Sequence, residues 1–261
     1  MSATNLIPAA TILLLRDGAD GLEVFMVVRH HQIDFASGAL VFPGGKLDAN
    51  DRHEDVPRLS DGMDGLTPLE QSVRAAAIRE AFEESGVLLA RDVVTGGLVS
   101  AARLKELERH REPLNRGDIG IADFLRSEKL RLAADLLVPF AHWIAPEIAV
   151  KRFDTYFYLA LAPHDHVAAH DGYESVDSFW IRPEDALKDQ REGKRIVIFP
   201  TRMVLGKLAQ SKIAAEALMR AKSEKIVTVA PIITTRADGE RVLSIPEEAG
   251  FGRVEELLSR I

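Results

Sequence analysis

Short runs of apolar residues near the N-terminus predict the first strands of a β-sheet. Residues 9–15 and 22–29 are almost entirely apolar, and a polar Arg-Asp-Gly turn at 16–18 lies between them. Apolar runs of this length, bounded by turn residues, are typical of buried strands in a hairpin. A third run, residues 39–42, leads into Pro43-Gly44-Gly45, which predicts a strand ending in a tight turn.

The hydrophobic spacing then changes from the strand type to the helix type. Ala75, Ile78 and Phe82 recur at i, i+3 and i+7, so they define one packing face of a helix. Thr67-Pro68-Leu69-Glu70 has the pattern of a capping box, and Gly86 is a natural helix stop. The segment therefore predicts a helix that starts at Pro68 and ends at Gly86.

Later segments predict an alternation of helices and strands. Apolar residues at helical spacing between 100 and 137 indicate a helical insertion, and the aromatic run 153–161 indicates a buried strand. Residues 179–181 predict another strand, followed by a helix. The predicted C-terminal elements are a long helix from about 200 to 222 and strands within 226–235 and 242–245.

Three carboxylates cluster near the end of the helix that follows Thr67. Glu80, Glu83 and Glu84 share a face about 100° wide. Like charges at this spacing repel by about 0.2–0.5 kcal/mol, and a last turn also faces the negative end of the helix dipole. A bound Mg²⁺ or Mn²⁺ explains the arrangement, because hard cations prefer carboxylate oxygens. For this string alone, a solvated acidic face is the alternative.

The glycine turn and the acidic helix together resemble the Nudix box, G-x5-E-x7-R-E-U-x-E-E-x-G-U, in which U is apolar. Gly45 occupies the first position, and residues 79–87 match the second half in register. Counted back from Arg79, the glutamate slot holds Gln71. Residues 46–70 then separate Gly45 from that slot, where the pattern has five residues.

This departure affects the first box glutamate and the spacer. Glu70, one place from the slot, is assigned to helix capping. Residues 49–66 are polar and predict a loop insertion, which either shapes the substrate site or is a tolerated surface insertion, since long loops cost little additional entropy.

Segments outside the box are similar to coenzyme A diphosphatases of the peroxisomal type. The similar segments are V-R-H at 28–30, V-F-P-G-G-K-L-D at 41–48, R-E-A-F-E-E at 79–84 and R-F-D-T at 152–155. The resemblance implies an α/β fold, a Nudix α/β/α sandwich with a mixed sheet. It would place the Nudix domain at 1–190, including the insertions at 49–66 and 100–137, and a C-terminal helical extension packed on the core at 191–261.

The same resemblance implies roles for the box residues. Glu80, Glu83 and Glu84 would bind Mg²⁺ or Mn²⁺, with Glu83 also counted as catalytic. Arg79 would hold the carboxylates in place, whereas an exposed i,i+4 partner of Glu83 is its alternative interpretation. Gly44 and Gly45 would let the backbone approach the substrate.

Residues outside the box are expected to complete the site. Arg29 and Arg152 are candidates for phosphate contacts, because a guanidinium can donate to two oxygens at once, and Asp154 is expected to orient Arg152. A strand-end salt bridge is the alternative for Arg29. Glu174 lies six residues before Trp180, which is similar to the position of an acid in dNTP-cleaving Nudix enzymes.

Glu174 is therefore the first candidate for a further metal ligand or for the base that accepts a proton from water, with Asp177 and Glu147 as weaker alternatives. A surface carboxylate is the other interpretation. The histidines at 164, 166 and 170 are interpreted as loop residues, since their spacing fits no common zinc pattern.

Composition narrows the function classes. The chain of 261 residues has no cysteine, which excludes thiolate chemistry and disulfides, and its net charge of −7 argues against general nucleic-acid binding. No apolar run is long enough to span a membrane, so a cytoplasmic setting is expected. A homodimer is left open.

The expected activity is hydrolysis of a small diphosphate substrate, with coenzyme A or acyl-CoA first and ADP-ribose, dinucleotides or nucleotide sugars next. A non-catalytic nucleotide sensor and an interaction protein with an incidental acidic helix are the other classes.

Overall fold

The computed structural model describes residues 6–30, 38–170 and 175–258. The strands in this part of the chain are β1 (Ile7–Gly18), β2 (Gly21–Arg29), β3 (Leu40–Val41), β4 (Gly44–Lys46), β5 (Ser60–Asp61), β6 (Ala90–Asp92), β7 (Leu130–Ala133), β8 (Val138–Ile144), β9 (Phe153–Leu161), β10 (Ser175–Ile181), β11 (Thr228–Val229), β12 (Ile232–Thr235), β13 (Arg241–Ser244) and β14 (Glu255–Leu257). The helices are α1 (Pro68–Ser85), α2 (Ala101–Leu107), α3 (Arg111–Asn115), α4 (Ile121–Glu128), α5 (Pro183–Arg191), α6 (Phe199–Leu208) and α7 (Ala214–Ser223). None of these helices is long and apolar enough to cross a membrane.

A mixed sheet lies at the centre, in the order β10-β2-β1-β9-β8-β11, with β3 beside β2 and β4 beside β1. Alternate residues of β1 pack on opposite faces. Ile12 and Leu14 belong to the core under α1, whereas Leu13 and Leu15 belong to the core under α6 and α7. Helices therefore cover both faces of the sheet, and the predicted α/β fold with a mixed sheet is confirmed.

Helix α1 has the predicted ends. The Thr67 side chain accepts a hydrogen bond from the Glu70 amide, and the Glu70 carboxylate accepts one from the Thr67 amide at 2.8 Å. Gly86 ends the helix in the left-handed conformation, at φ 72°. Ala75, Ile78 and Phe82 are fully buried, as their spacing predicts.

The insertion at 49–66 is folded, so the prediction of a polar loop is wrong in part. It contains a 3-10 helix, Ala49–Arg52, and strand β5, which pairs in parallel with β7. Val56 and Met63 are buried in the core under α1.

The predicted helical insertion at 100–137 is confirmed for α2, α3 and α4, but its end forms β7, the central strand of a small sheet with β5 and β6.

The C-terminal region differs from the long helix expected over 200–222. The helix is divided into α6 and α7 because the intervening residues dock on the β1–β2 hairpin. The Ala214 amide donates to the Asp17 carboxylate at 2.7 Å, and the Lys212 carbonyl accepts from Leu22 at 2.8 Å. The strands expected within 226–235 and 242–245 pair antiparallel as β12 and β13. The C-terminal region therefore contains strands as well as helices.

Candidate active site

The guanidinium of Arg79 lies between three carboxylates inside the protein. Its Nε and Nη2 donate to the two oxygens of Asp51, both at 2.9 Å. Its Nη1 donates to Glu80 at 2.9 Å and to Glu83 at 2.8 Å. The carboxylates are buried together with the Arg79 guanidinium, since Asp51 is 1% exposed, Glu83 3% and Glu80 9%. The solvated acidic face considered from the sequence is therefore excluded for these side chains.

Asp51 comes from the folded insertion, 28 residues before Arg79. It is the third residue of the 3-10 helix Ala49–Arg52, which Asp48 caps. One Asp51 oxygen also accepts from the Asp48 amide at 2.8 Å. The cap thus fixes Asp51 from one side and the fork of Arg79 fixes it from the other, so the insertion is bound directly to the acidic end of α1.

The glycine turn packs against the same carboxylates. The Gly44 amide donates to Glu84 at 3.0 Å. A Cβ on Gly44 would lie 2.5 Å from the Ala10 carbonyl oxygen, and a Cβ on Gly45 would lie 2.7 Å from the Glu80 Cδ. Only glycine permits both approaches, because the Ala10 backbone cannot move aside and the Glu80 carboxylate would be displaced.

Burial and neighbouring charge make Glu83 an unusual acid. Burial raises the pKa of Glu83 to about 8, and the negative charges of Glu80 and Asp51 act in the same direction, whereas Arg79 opposes them. Burial alone would lower the pKa of Arg79, but the attraction of Glu80, Asp51 and Glu83 outweighs it and raises this pKa above its usual value.

The polar atoms of the site include donors that suit a divalent cation. Glu83 Oε1 is buried and has no hydrogen-bond partner. The Asp51, Glu80 and Glu83 carboxylates share the Arg79 guanidinium, and Glu84 accepts a hydrogen bond from the Gly44 amide. Among the described residues, no three His, Asp or Glu side chains already converge on one point that could hold an ion. The donors nevertheless fit Mg²⁺, which takes one or two carboxylates and completes its shell with water and phosphate oxygens.

Metal affinity is expected to depend on pH through Glu83. Because its pKa is raised to about 8 in the metal-free protein, the carboxyl is protonated below that pH, and a cation that bound Glu83 would displace a proton. Apparent Mg²⁺ affinity should therefore rise about tenfold per pH unit up to pH 8 and level off above it. Titration calorimetry at pH 6, 7, 8 and 9 measures this, and buffers of different ionisation enthalpy report the released proton. An affinity independent of pH would contradict it.

The two predicted phosphate-binding arginines lie at the ends of separate strands. Arg29 ends β2 and is half-buried, and its Nε has no hydrogen-bond partner. Arg152 precedes β9, and its Nε donates to the Ala145 carbonyl at 3.1 Å. Asp154 does not orient Arg152, as the sequence suggested, but contacts the His142 ring at 2.5 Å. The reason is the alternation of side chains along β9 and its antiparallel pairing with β8.

The candidates for a further acid are distributed differently. Glu174 lies outside the described residues, so its role stays a prediction. Asp177 and Glu147 are both exposed, and Asp177 accepts a hydrogen bond from the neighbouring Ser178 amide. His166 Nε2 donates to the Val99 carbonyl at 2.8 Å, and His170 Nδ1 lies 3.1 Å from the Ser178 hydroxyl, as expected for loop residues.

Comparison with known proteins adds an independent observation. The family model of the NUDT19 Nudix domain matches residues 60–205 of this chain. The chain belongs to the Nudix superfamily. A crystal structure of a Nudix hydrolase from Alicyclobacillus acidocaldarius superposes on it with a TM-score of 0.67 and 25% identity, covering 84% of this chain and 97% of the other.

Curated relatives are similar in sequence to part of this Nudix chain. It is 25% identical to the acyl-coenzyme A diphosphatase NUDT19 of Xenopus laevis over 214 residues, covering 66% of this chain and 56% of the relative. The corresponding Homo sapiens protein is 29% identical over 212 residues, covering 64% and 55%. The peroxisomal coenzyme A diphosphatase ndx-8 of Caenorhabditis elegans is 35% identical over 94 residues, covering 36% and 32%. The matches span about half the length of the NUDT19 relatives.

The Nudix box has one acidic residue that the sequence interpretation missed. Counted forward from Gly45, the pattern G-x5-E places its acid at Asp51, not at Gln71. The additional residues therefore lie after this acid, in the second spacer. The signal was present in the sequence, but counting back from Arg79 crossed the insertion and reached the wrong slot. Glu70 has the capping role that the sequence assigned to it.

Proposed function

We propose that this Nudix protein hydrolyses the diphosphate bond of coenzyme A or an acyl-CoA in a reaction that depends on Mg²⁺ or Mn²⁺. One observation carries the proposal: the Asp51, Glu80 and Glu83 carboxylates are gathered around the buried Arg79, and Glu83 keeps an unpartnered oxygen in the interior. A buried carboxyl oxygen without a partner is costly for stability, and coordination of a cation by Glu83 would offset that cost.

The substrate class is supported by the family and by segments outside the box. The NUDT19 relatives are named acyl-coenzyme A diphosphatases, and ndx-8 is named a coenzyme A diphosphatase. The chain also has the V-F-P-G-G segment before the insertion and R-F-D-T at the start of β9. ADP-ribose, dinucleotides and nucleotide sugars contain the same diphosphate, so they are the competing substrates.

The reaction adds water across the diphosphate bridge. The water oxygen forms a bond to one phosphorus, the bond from that phosphorus to the bridging oxygen breaks, and coenzyme A is divided into 3′,5′-ADP and phosphopantetheine. The bound cation would neutralise phosphate oxygens and lower the pKa of the attacking water. Glu80, Glu83 and Glu84 would hold it.

The remaining residues would position these groups. Arg79 keeps the Glu80 and Glu83 carboxylates in fixed orientations, and the Gly44 amide does the same for Glu84. Arg29, with its unpartnered Nε, and Arg152 would bind the phosphates. Glu174 would accept the proton from water.

The proposal is tested by a mass-resolved hydrolysis screen over coenzyme A, acyl-CoAs, ADP-ribose, NADH and diadenosine polyphosphates, with Mg²⁺ or Mn²⁺. We expect the highest kcat/KM for coenzyme A or an acyl-CoA, with 3′,5′-ADP as one product. Turnover in H₂¹⁸O identifies which phosphorus receives the water oxygen. Cleavage of ADP-ribose alone would overturn the substrate, and binding without turnover of any compound would overturn the enzymatic function.

A further inference from the structure

A single arginine from the helical insertion covers the C-terminal end of α1. The Nε and Nη2 of Arg111, at the start of α3, donate to the Glu83 backbone carbonyl at 3.3 and 3.0 Å. Nη2 also lies 3.4 Å from the Ala169 carbonyl, and the Ala169 amide donates to the Ser85 carbonyl at 2.9 Å. The Arg111 side chain is 13% exposed. Two separate parts of the chain therefore meet at the last turn of α1.

The last turn of α1 lacks a positive charge of its own to balance the negative end of the helix dipole. It contains Glu83 and Glu84 but no basic residue, although the free carbonyls at a helix C-terminus are the negative end of its dipole. Arg111 supplies the missing cation from another element. It also packs closely over the helix stop, since a Cβ on Gly86 would lie 3.2 Å from Arg111 Nη1.

We infer that Arg111 is a positioning residue for the metal carboxylates of α1. By fixing the Glu83 carbonyl with two donors, it fixes the backbone that carries the Glu83 side chain, whose own Oε1 is unpartnered. The helical insertion then acts on the metal site through one guanidinium and the backbone of α1. This inference rests on the proposed function, because it requires that Glu83 binds the cation.

Removal of Arg111 would have opposite effects on metal affinity if the residue acted only through its charge and if it positions Glu83. If Arg111 acted only as a nearby positive charge, its removal would relieve repulsion and strengthen cation binding. If it positions Glu83, its removal weakens binding, and Arg111→Lys weakens it as well, because an ammonium keeps the charge but loses the planar fork. The sign of the change therefore separates the two roles.

The experiment measures Mn²⁺ binding by titration calorimetry, without substrate, for the full chain and for Arg111→Met, Arg111→Lys and Arg116→Met. Arg116 is the matched control, since it directly follows the same helix α3 as its C-cap, is exposed, and pairs with Glu112 instead of α1. We expect Arg111→Met to raise the Kd for Mn²⁺ about 10- to 100-fold. Arg111→Lys should give an intermediate value, and Arg116→Met should equal the parent.

Each outcome decides the inference. An unchanged or lower Kd in Arg111→Met overturns it, even if the variant melts at a lower temperature, because a purely structural role would affect melting alone. If Arg111→Met does not fold, Arg111→Lys decides: a raised Kd supports positioning and the parental Kd overturns it. Absence of Mn²⁺ binding by the unchanged chain would instead refute the metal dependence in the proposed function, and with it the premise of this inference.

Discussion

Replacing Glu83 with glutamine is expected to lower metal-dependent hydrolysis by at least about 100-fold, because even residues that only support metal ligands cost 10- to 100-fold. Glu83 provides the unpartnered buried oxygen of the site, and an amide is a poorer ligand for a hard cation than a carboxylate. Glutamine has nearly the same shape as glutamate, so Arg79 can still donate to the side-chain carbonyl oxygen at this position. The measurement is kcat/KM for coenzyme A at saturating Mg²⁺.

The Glu83→Gln experiment separates chemistry from folding. Since burial raises the pKa of Glu83 to about 8, the parent carboxyl is largely neutral at pH 7 without metal, and the melting temperature of the metal-free variant should stay close to that of the parent. Glu106→Gln is the control, as Glu106 is 62% exposed and pairs with Arg103. Full activity in Glu83→Gln would exclude Glu83 as a metal ligand.

Replacing Asp51 with asparagine is expected to destabilise the protein by about 3 kcal/mol, the low end of the cost of breaking a buried ion pair. Asp51 accepts two hydrogen bonds from Arg79 and one from the Asp48 amide, and it is fully buried. The neutral amide leaves the guanidinium with Glu80 and Glu83 as its carboxylate partners. The melting temperature should fall by about 6–12 °C in a domain of this size.

The matched control for Asp51 is Asp64→Asn, an exposed residue of the same insertion, which should melt as the parent does. Activity should also fall in Asp51→Asn, because Arg79 would no longer be anchored from the insertion side and would hold Glu80 and Glu83 less firmly. A parental melting temperature for Asp51→Asn would show that the insertion contributes little to the acidic end of α1, and would contradict the importance of this buried pair.

Local patterns were enough for much of the framework. The capping box at Thr67 and the stop at Gly86 depend only on neighbouring backbone groups, so both ends of α1 were predictable. The strand 153–161 was predictable from its own composition, because aromatic and β-branched residues favour strands. The acidic trio was visible because residues 79–87 match the box in register, and Gly45 was visible because it lies in a Pro-Gly-Gly turn after an apolar run.

The pairing of residues across long separations was not visible in the chain, even though Asp51 itself matches a position of the box. Asp51 pairs with Arg79, and Arg111 covers the Glu83 carbonyl, only because the insertions fold back on α1. The break between α6 and α7 likewise needs Asp17, from a hairpin nearly two hundred residues earlier. Such contacts depend on how separate elements pack, and neither periodicity nor capping encodes that. The sequence thus carried the chemistry of the box, while tertiary packing decided which charges surround it and buried them.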